Sequence, residues 1–248
     1  MKKFAKFFFL LLFVITACAP SNAPGSTVEY TLQHALHSTV GIQLLNPSTL
    51  EWATVGSGTV VRQENALYMG GRPKYAVLTA EHVMNAIGSR PARACSDIAI
   101  QSCMPFYSGY RGGGTSDRTF DGDWAIVPVY SLPKGVRPIR IRNEPTRVGE
   151  PVYFVGYPWG DFLISNGIAS GYRMEDDTRI DKAYGFVAPG NSGGAVLDSR
   201  GRLVGIVVGI PIKRGPGNFP TYQHDIVLSV SVSSVVWELP AVQTKESQ

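Results

Sequence analysis

Three short segments, far apart in the 248-residue chain, carry the side chains from which acyl-transfer chemistry is built. Ser192 lies in Pro189-Gly190-Asn191-Ser192-Gly193-Gly194, where dense glycine suits a backbone that turns sharply and points its N–H groups at a developing oxyanion. His82 follows Val77-Leu78-Thr79-Ala80-Glu81, so a strand can hold its imidazole at a cleft. Asp123 immediately precedes Trp124-Ala125-Ile126-Val127. A carboxylate at such a boundary, shielded from water, can accept the histidine Nδ1–H and leave Nε2 free to take a hydroxyl proton. Each residue alone is more often structural; together they supply a nucleophile, a base and an orienting acid. Asp121 competes for the acid role from two residues away, while Asp97 and Asp117 fall in loop sequence and rank below it. His34 and His37, at i and i+3, have no cysteine or acidic partner before Glu51 to complete a metal site, and read as solvated surface. His224, beside Asp225, reads as shaping the second half of the fold.

The elements that must position these groups are strands. The chain has 27 Gly and 17 Pro, and between them recur apolar runs at Thr39–Leu45, Trp52–Arg62, Tyr75–Thr79, Trp124–Val129, Val152–Gly156, Gly167–Arg173, Ala195–Leu197, Leu203–Ile210 and Ile226–Val230. No helical period of useful length falls between Thr39 and Ile226, so the crossover helices of a parallel sheet are missing and the strands are expected to be antiparallel. Asp198-Ser199-Arg200-Gly201 reads as a hairpin with a glycine available for positive φ. Short helices are predicted at Ala80–Ile87 and Val232–Leu239, the latter stopped by Pro240. Ser108–Asp117 is a surface loop and not a phosphate cradle, because it lacks the Lys-Ser/Thr ending of a P-loop. Pro138–Gly149 joins two halves of similar size.

With 44% hydrophobic and 17% charged residues the chain can bury a core. Met1–Lys6 followed by Phe7–Ile15 (FFFLLLFVI) reads as an export leader, too short in its apolar run to span a bilayer. Setting aside Lys2, Lys3 and Lys6 from the 23 basic residues leaves 20 against 19 acidic ones, which gives no electrostatic case for nucleic acid. Ile15-Thr16-Ala17-Cys18 resembles a bacterial lipobox, with Cys18 as the lipidated N-terminus; Ala17-x-Ala19 also fits ordinary cleavage. A lipid on Cys18 would place the protein at a membrane surface of the cell envelope, on the flexible spacer that follows. It would also leave Cys95 and Cys103 as an even pair suited to a disulfide. Free thiols and a metal site are the alternatives.

Thr79-Ala80-Glu81-His82, Asp123-Trp124-Ala125-Ile126 and Gly190-Asn191-Ser192-Gly193-Gly194, in that order, resemble the trypsin-like serine endopeptidases, most of all the HtrA-type branch. The resemblance covers roughly Val40 to Leu239. It implies an all-β, chymotrypsin-like fold of two six-stranded antiparallel barrels packed face to face, with a short C-terminal helix. The expected division is a leader at 1–18, a linker at 19–27, barrels at 28–142 and 143–240, and a polar tail at 241–248. It further implies that His82, Asp123 and Ser192 form a catalytic triad, that the N–H groups of Gly190 and Ser192 form the oxyanion hole, and that the substrate is a polypeptide with no metal or organic cofactor needed. Asn191 stands where zymogen-activated relatives place an Asp, so cleavage-triggered activation is not expected. HtrA-type proteins usually continue into a PDZ domain; nine residues follow Leu239, and a protease domain without one is expected. Phe186 stands six residues before Ser192, where a trypsin has an Asp, and Val207 stands where glutamyl endopeptidases have a His. With Val208 they predict a slot for small or medium apolar P1 side chains. Two rival readings are an inactive protease-fold binding protein and an α/β-hydrolase esterase, which also uses Gly-x-Ser-x-Gly but needs a helix after the Ser.

Overall fold

The computed structural model describes residues 27–63, 74–97, 102–106, 111–112, 122–175, 177–214 and 220–235. The leader with Cys18, Asp117, Asp121, most of the 108–117 loop and the 241–248 tail lie outside the described residues.

Helix α1 (Thr27–Ser38) runs into β1 (Thr39–Leu45), followed by β2 (Trp52–Gln63), β3 (Lys74–Thr79), the short helix α2 (Glu81–Ile87), β4 (Ala92–Ser96), β5 (Ser102–Phe106), β6 (Arg111–Gly112) and β7 (Ala125–Val129). All these strands pair antiparallel in the order β5-β4-β1-β2-β3-β7-β6. In the second half, β8 (Pro151–Gly156), β9 (Leu163–Glu175), β10 (Thr178–Gly185), β11 (Ala195–Asp198), β12 (Leu203–Gly209) and β15 (Ile226–Ser231) close into a barrel, while β13 (Ile212–Arg214) and β14 (Pro220–Tyr222) make a separate ribbon. The all-β expectation therefore holds, with one barrel closed and the other a half-barrel whose end strands, β5 and the two-residue β6, do not meet. The predicted C-terminal helix is, over the described residues, a single 3-10 turn at Val232–Ser234. Val235 is already extended, with φ −79° and ψ 127°, and is buried. Among the described residues no helix is long and apolar enough to cross a membrane.

Two apolar clusters hold these sheets. Val152, Phe154, Val187, Val196, Val204, Val207 and their neighbours fill one drawn wholly from the closed barrel. The larger runs from Val60, Val77, Leu78 and Ile126 of the first sheet into Val155, Leu197, Ile206 and Val208 of the second, so the two halves share a core. Their linker is stitched to both: Ile139 bridges to Val61 on β2, and Ile141 bridges to Leu203 on β12.

Arg142, at the end of that linker, lies in a buried ionic cluster. Its guanidinium bonds both oxygens of Glu150 and approaches Asp198 Oδ2 at 3.4 Å. Asp198 opens the predicted hairpin, where its Oδ1 accepts the N–H groups of Arg200 and Arg202 at 2.9 Å and Gly201 takes φ 71°. Burial works to raise the Asp198 carboxyl, but the hydrogen bonds from Arg202 and Arg200 outweigh it and hold it below its ordinary value. The hydrogen bond from Arg142 does the same for Glu150. Groups with depressed folded pKa values contribute stability that is whole above the unfolded value of about 4 and is lost as pH falls through the folded one. The denaturant midpoint should therefore drop below about pH 4. Asp198→Ala should cost about 3 kcal/mol at neutral pH and flatten that acid limb, as a series of urea melts from pH 7 to 3 would measure.

Cys95 and Cys103 face each other directly across β4 and β5 and are joined as a disulfide. Closing a loop with a sequence separation of 8 stabilises by about 2–3 kcal/mol through the unfolded chain. The double serine variant should lose that amount in a urea melt, and a dithiol reductant should bring the native protein to the same midpoint.

Candidate active site

The first side of the site forms where β3 ends. Ala80 sits at the N-cap of α2 with no side chain able to cap it, and the missing partner comes from elsewhere. Asp123 Oδ1 accepts the backbone N–H of His82 at 2.9 Å, while its Oδ2 lies 2.7 Å from His82 Nδ1. An ionised carboxylate can only accept, so Nδ1 carries the proton and the neutral ring presents Nε2 as a base. One carboxylate thereby fixes both the helix turn that bears the imidazole and the tautomer of the ring. Asp123 is held in place by its own turn, in which Gly122 takes φ 67° and Trp124 N–H reaches the Gly122 carbonyl at 2.6 Å. The Asp123 side chain is 11% exposed and that of His82 48%, a shielded acid behind an imidazole open to the cleft.

The other side is the loop between β10 and β11. Asn191 N–H bonds the Ala188 carbonyl and Gly194 N–H bonds the Asn191 carbonyl, at 3.0 and 2.8 Å. Gly193 N–H and the Gly194 carbonyl pair with Val207 on β12 at 2.7 and 2.9 Å. Among the described residues, the N–H groups of Gly190 and Ser192 donate to nothing, although those of Asn191, Gly193 and Gly194 between and beyond them are all used. The conformation demands glycine at two points: Gly190 has φ 102°, and a Cβ there would sit 2.6 Å from the Tyr157 carbonyl. Gly193 has φ 82°, and a Cβ there would collide with Thr79 Oγ1 and the Ser57 carbonyl. That tight seat sets the Ser192 loop against Thr79 and Ala80, the residues that lead into His82.

Residues 56–206 match the family described as the trypsin-like peptidase domain. The chain belongs to that family. Over 101 residues the peptidase domain is 35% identical to the serine protease HtrA-like of Staphylococcus epidermidis, covering 34% of this chain and 17% of that protein. It is also 34% identical over 99 residues to Protease Do-like 1, chloroplastic, of Arabidopsis thaliana, covering 35% and 22%. The chain thus spans about a fifth of the length of the curated relatives it matches. In fold it is similar to the HtrA-type protease AlgW with tripeptide, with TM-score 0.58 and 17% identity over 83% of this chain and 60% of that one. A protease from M. tuberculosis, solved in its active form, gives TM-score 0.58 and 20% identity over 85% and 83%. The peptidase domain has the chymotrypsin-like architecture that these structures share.

Within this domain the sequence-predicted residues fall as follows. His82 and Asp123 are hydrogen-bonded partners, and the Ser192 loop abuts the segment that carries His82. No helix follows Ser192; β11 begins at Ala195, which removes the strand-turn-helix that an α/β-hydrolase nucleophile requires. Phe186 is half exposed, with its carbonyl accepting the Ser165 hydroxyl at 2.5 Å. Val207 and Val208 are buried on opposite sides of β12, Val207 in the closed-barrel cluster and Val208 in the shared core. His37 Nδ1 bonds the Gly135 carbonyl at 2.8 Å; burial, then the charge of His37, lowers the pKa of His34. The exposed His224 lies beside Tyr222, with ring centroids 5.8 Å apart.

Sequence reasoning missed Ser57. It lies on β2, fully buried, with its N–H on the Ser192 carbonyl at 2.7 Å and its carbonyl accepting Thr79 Oγ1 at 2.7 Å. Its hydroxyl donates to the Gly190 carbonyl at 2.6 Å and accepts the Tyr157 N–H at 2.8 Å. The available signal was Gly56-Ser57-Gly58 inside a strand, since glycine there marks close approach of another backbone. Tyr157 was missed as well. Its ring is buried, which pushes the phenol up to about 12, and its hydroxyl accepts the Asp97 N–H at 3.3 Å beside the disulfide hairpin.

Proposed function

We propose that the chain is a serine endopeptidase acting on polypeptides through an acyl-enzyme, with Ser192 as nucleophile, His82 as base and then acid, and Asp123 as the group that orients His82. The observation that carries this reading is the double acceptance by Asp123 of the His82 backbone and ring N–H groups, next to a seated glycine-rich Ser loop with two undirected N–H groups. In the reaction, His82 Nε2 takes the Ser192 proton as Oγ attacks the scissile carbonyl, and the N–H groups of Gly190 and Ser192 receive the negative charge that develops on the carbonyl oxygen. His82 returns the proton to the leaving amine, and a water repeats the sequence to free the acid. Asp123 keeps accepting the His82 Nδ1–H through the cycle and so stabilises the imidazolium as it forms.

Phe186 carries half-exposed apolar surface, and Val207 and Val208, buried on opposite sides of β12, put no charged side chain on the strand that bonds the Ser192 loop. Such a slot strips water from a substrate Lys or Arg without returning a partner, so a small or medium apolar P1 residue is preferred. The two halves at 28–142 and 143–240 contribute the acid–base pair and the nucleophile respectively. The lipobox-like Ile15–Cys18 segment supports export and a lipid on Cys18 that tethers the domain to an envelope membrane.

A fluorophosphonate probe and a mixed peptide library test the proposal together. The wild-type chain should become covalently labelled, Ser192→Ala should not, and the residues preceding the new peptide ends should be apolar. A wild-type chain that neither labels nor cuts would favour the inert binding protein, and cuts after Arg or Glu would overturn the P1 preference alone.

A further inference from the structure

We infer that the Ser57 hydroxyl is a positioning device for the oxyanion donors, an inference that rests on the serine-peptidase reading. Ser57 is fully buried, and both capacities of its hydroxyl are used: it donates to the Gly190 carbonyl and accepts the N–H of Tyr157. These partners are the two segments that shape the oxyanion loop. Tyr157 opens the turn Pro158–Gly160, and the N–H of Trp159 within that turn bonds the Pro189 carbonyl at 3.0 Å. The peptides on both sides of the Gly190 α-carbon are therefore held by their carbonyls, Pro189 by Trp159 and Gly190 by Ser57.

In a planar trans peptide the N–H points opposite to its own C=O. Anchoring the Pro189 carbonyl on the turn thus directs the Gly190 N–H the other way, and anchoring the Gly190 carbonyl stops the α-carbon between them from rotating back. Glycine at φ 102° has little intrinsic resistance to such rotation, so the restraint must come from outside the loop. Ser57 provides it on one side directly and on the other through Tyr157. Because the Ser57 N–H also holds the Ser192 carbonyl, nucleophile and oxyanion donors are referenced to one residue of β2. The hydroxyl is hydrogen-bonded to backbone groups on both sides, so its effect is transmitted through them. Without it the Gly190 carbonyl and the Tyr157 N–H would be left unpaired away from water, and the loop would shift to satisfy them.

The test compares wild-type, Ser57→Ala and Ser57→Cys versions of the full-length chain. Loss of one oxyanion donor slows chemistry by about 10²–10³, and a donor misdirected rather than removed should cost Ser57→Ala about 10–100-fold in kcat, with KM within about twofold. Affinity for a peptide aldehyde, which adds Ser192 Oγ to give a tetrahedral adduct, should fall by the same factor as kcat/KM. Binding of the intact peptide in a Ser192→Ala background should not change when Ser57→Ala is added. Ser57→Cys, with a weaker S–H donor, should fall between. Wild-type rates in a folded Ser57→Ala variant, a loss confined to KM, or failure of both variants to fold would each overturn the inference while the peptidase reading stands. Absence of fluorophosphonate labelling in the wild-type chain would overturn that reading, and this inference with it.

Discussion

Replacing Ser192 with alanine should lower kcat for peptide cleavage by about 10⁶-fold while leaving KM and the melting temperature close to their wild-type values. The bond that seats this residue in the fold runs through its backbone carbonyl, to Ser57 N–H at 2.7 Å, and alanine keeps it. The substitution therefore removes the attacking oxygen and little else. Slow turnover about 10³–10⁴-fold above the uncatalysed rate should survive, because substrate binding and the donors of Gly190 and position 192 remain. Steady-state cleavage of a fluorogenic peptide, at enzyme concentrations high enough to see the residue of activity, measures the drop. A fall of less than about 100-fold would mean that the nucleophile lies elsewhere.

Asp123→Asn should cost about 10⁴-fold in kcat with little loss of fold, and the hydrogen-bond pattern explains why so mild a change would be so damaging. Asp123 offers two acceptors to two donors, the backbone N–H of His82 and its Nδ1–H. An amide has one acceptor and one donor face. The backbone N–H cannot change its character, so the amide oxygen stays with it and the NH₂ is left facing Nδ1. The imidazole can accept that donor only by moving its own proton to Nε2, where a proton is useless for deprotonating Ser192. Nitrogen NMR of the His82 ring should show the exchanged tautomer in the variant. A variant that kept the proton on Nδ1, or one that retained more than a tenth of wild-type kcat, would remove Asp123 from the role assigned to it.

What the residues disclosed in advance depended on how far each element's reason for existing is local. The Val- and Ile-rich runs that became β1, β2, β3, β8 and β12 announce themselves, because apolar β-branched residues bounded by turn formers have few other uses. The hairpin of β4 and β5 did not. Ala92-Arg93-Ala94-Cys95-Ser96 and Ser102-Cys103-Met104-Pro105-Phe106 are weak strand formers joined by a covalent bond between directly opposed residues. Strand β10 has no apolar run to mark it, because Arg179, Asp181 and Lys182 interrupt Ile180 and Ala183. Asp181 is in fact buried, and although burial raises its carboxyl, Arg179 and Thr146 bond it there. The triad candidates were legible because the chemistry requires particular residue types beside particular elements. Ser57 was not, since a serine whose hydroxyl bonds only backbone atoms of distant segments has no signature beyond its flanking glycines.

The hydrogen bond from Ser57 to Gly190 joins residues 133 positions apart. A chain emerging from the ribosome holds Ser57, His82 and Asp123 long before the segment that completes them exists. Long-range closures of this kind are among the slowest to form, and each costs chain entropy that only a finished core repays. A chain that stops short of residue 192 therefore lacks the side chain that the proposed reaction uses as nucleophile. On the serine-peptidase reading, peptide cleavage then waits on the closing of the second half against the first, because Ser57 of β2 must meet both Gly190 and Ser192.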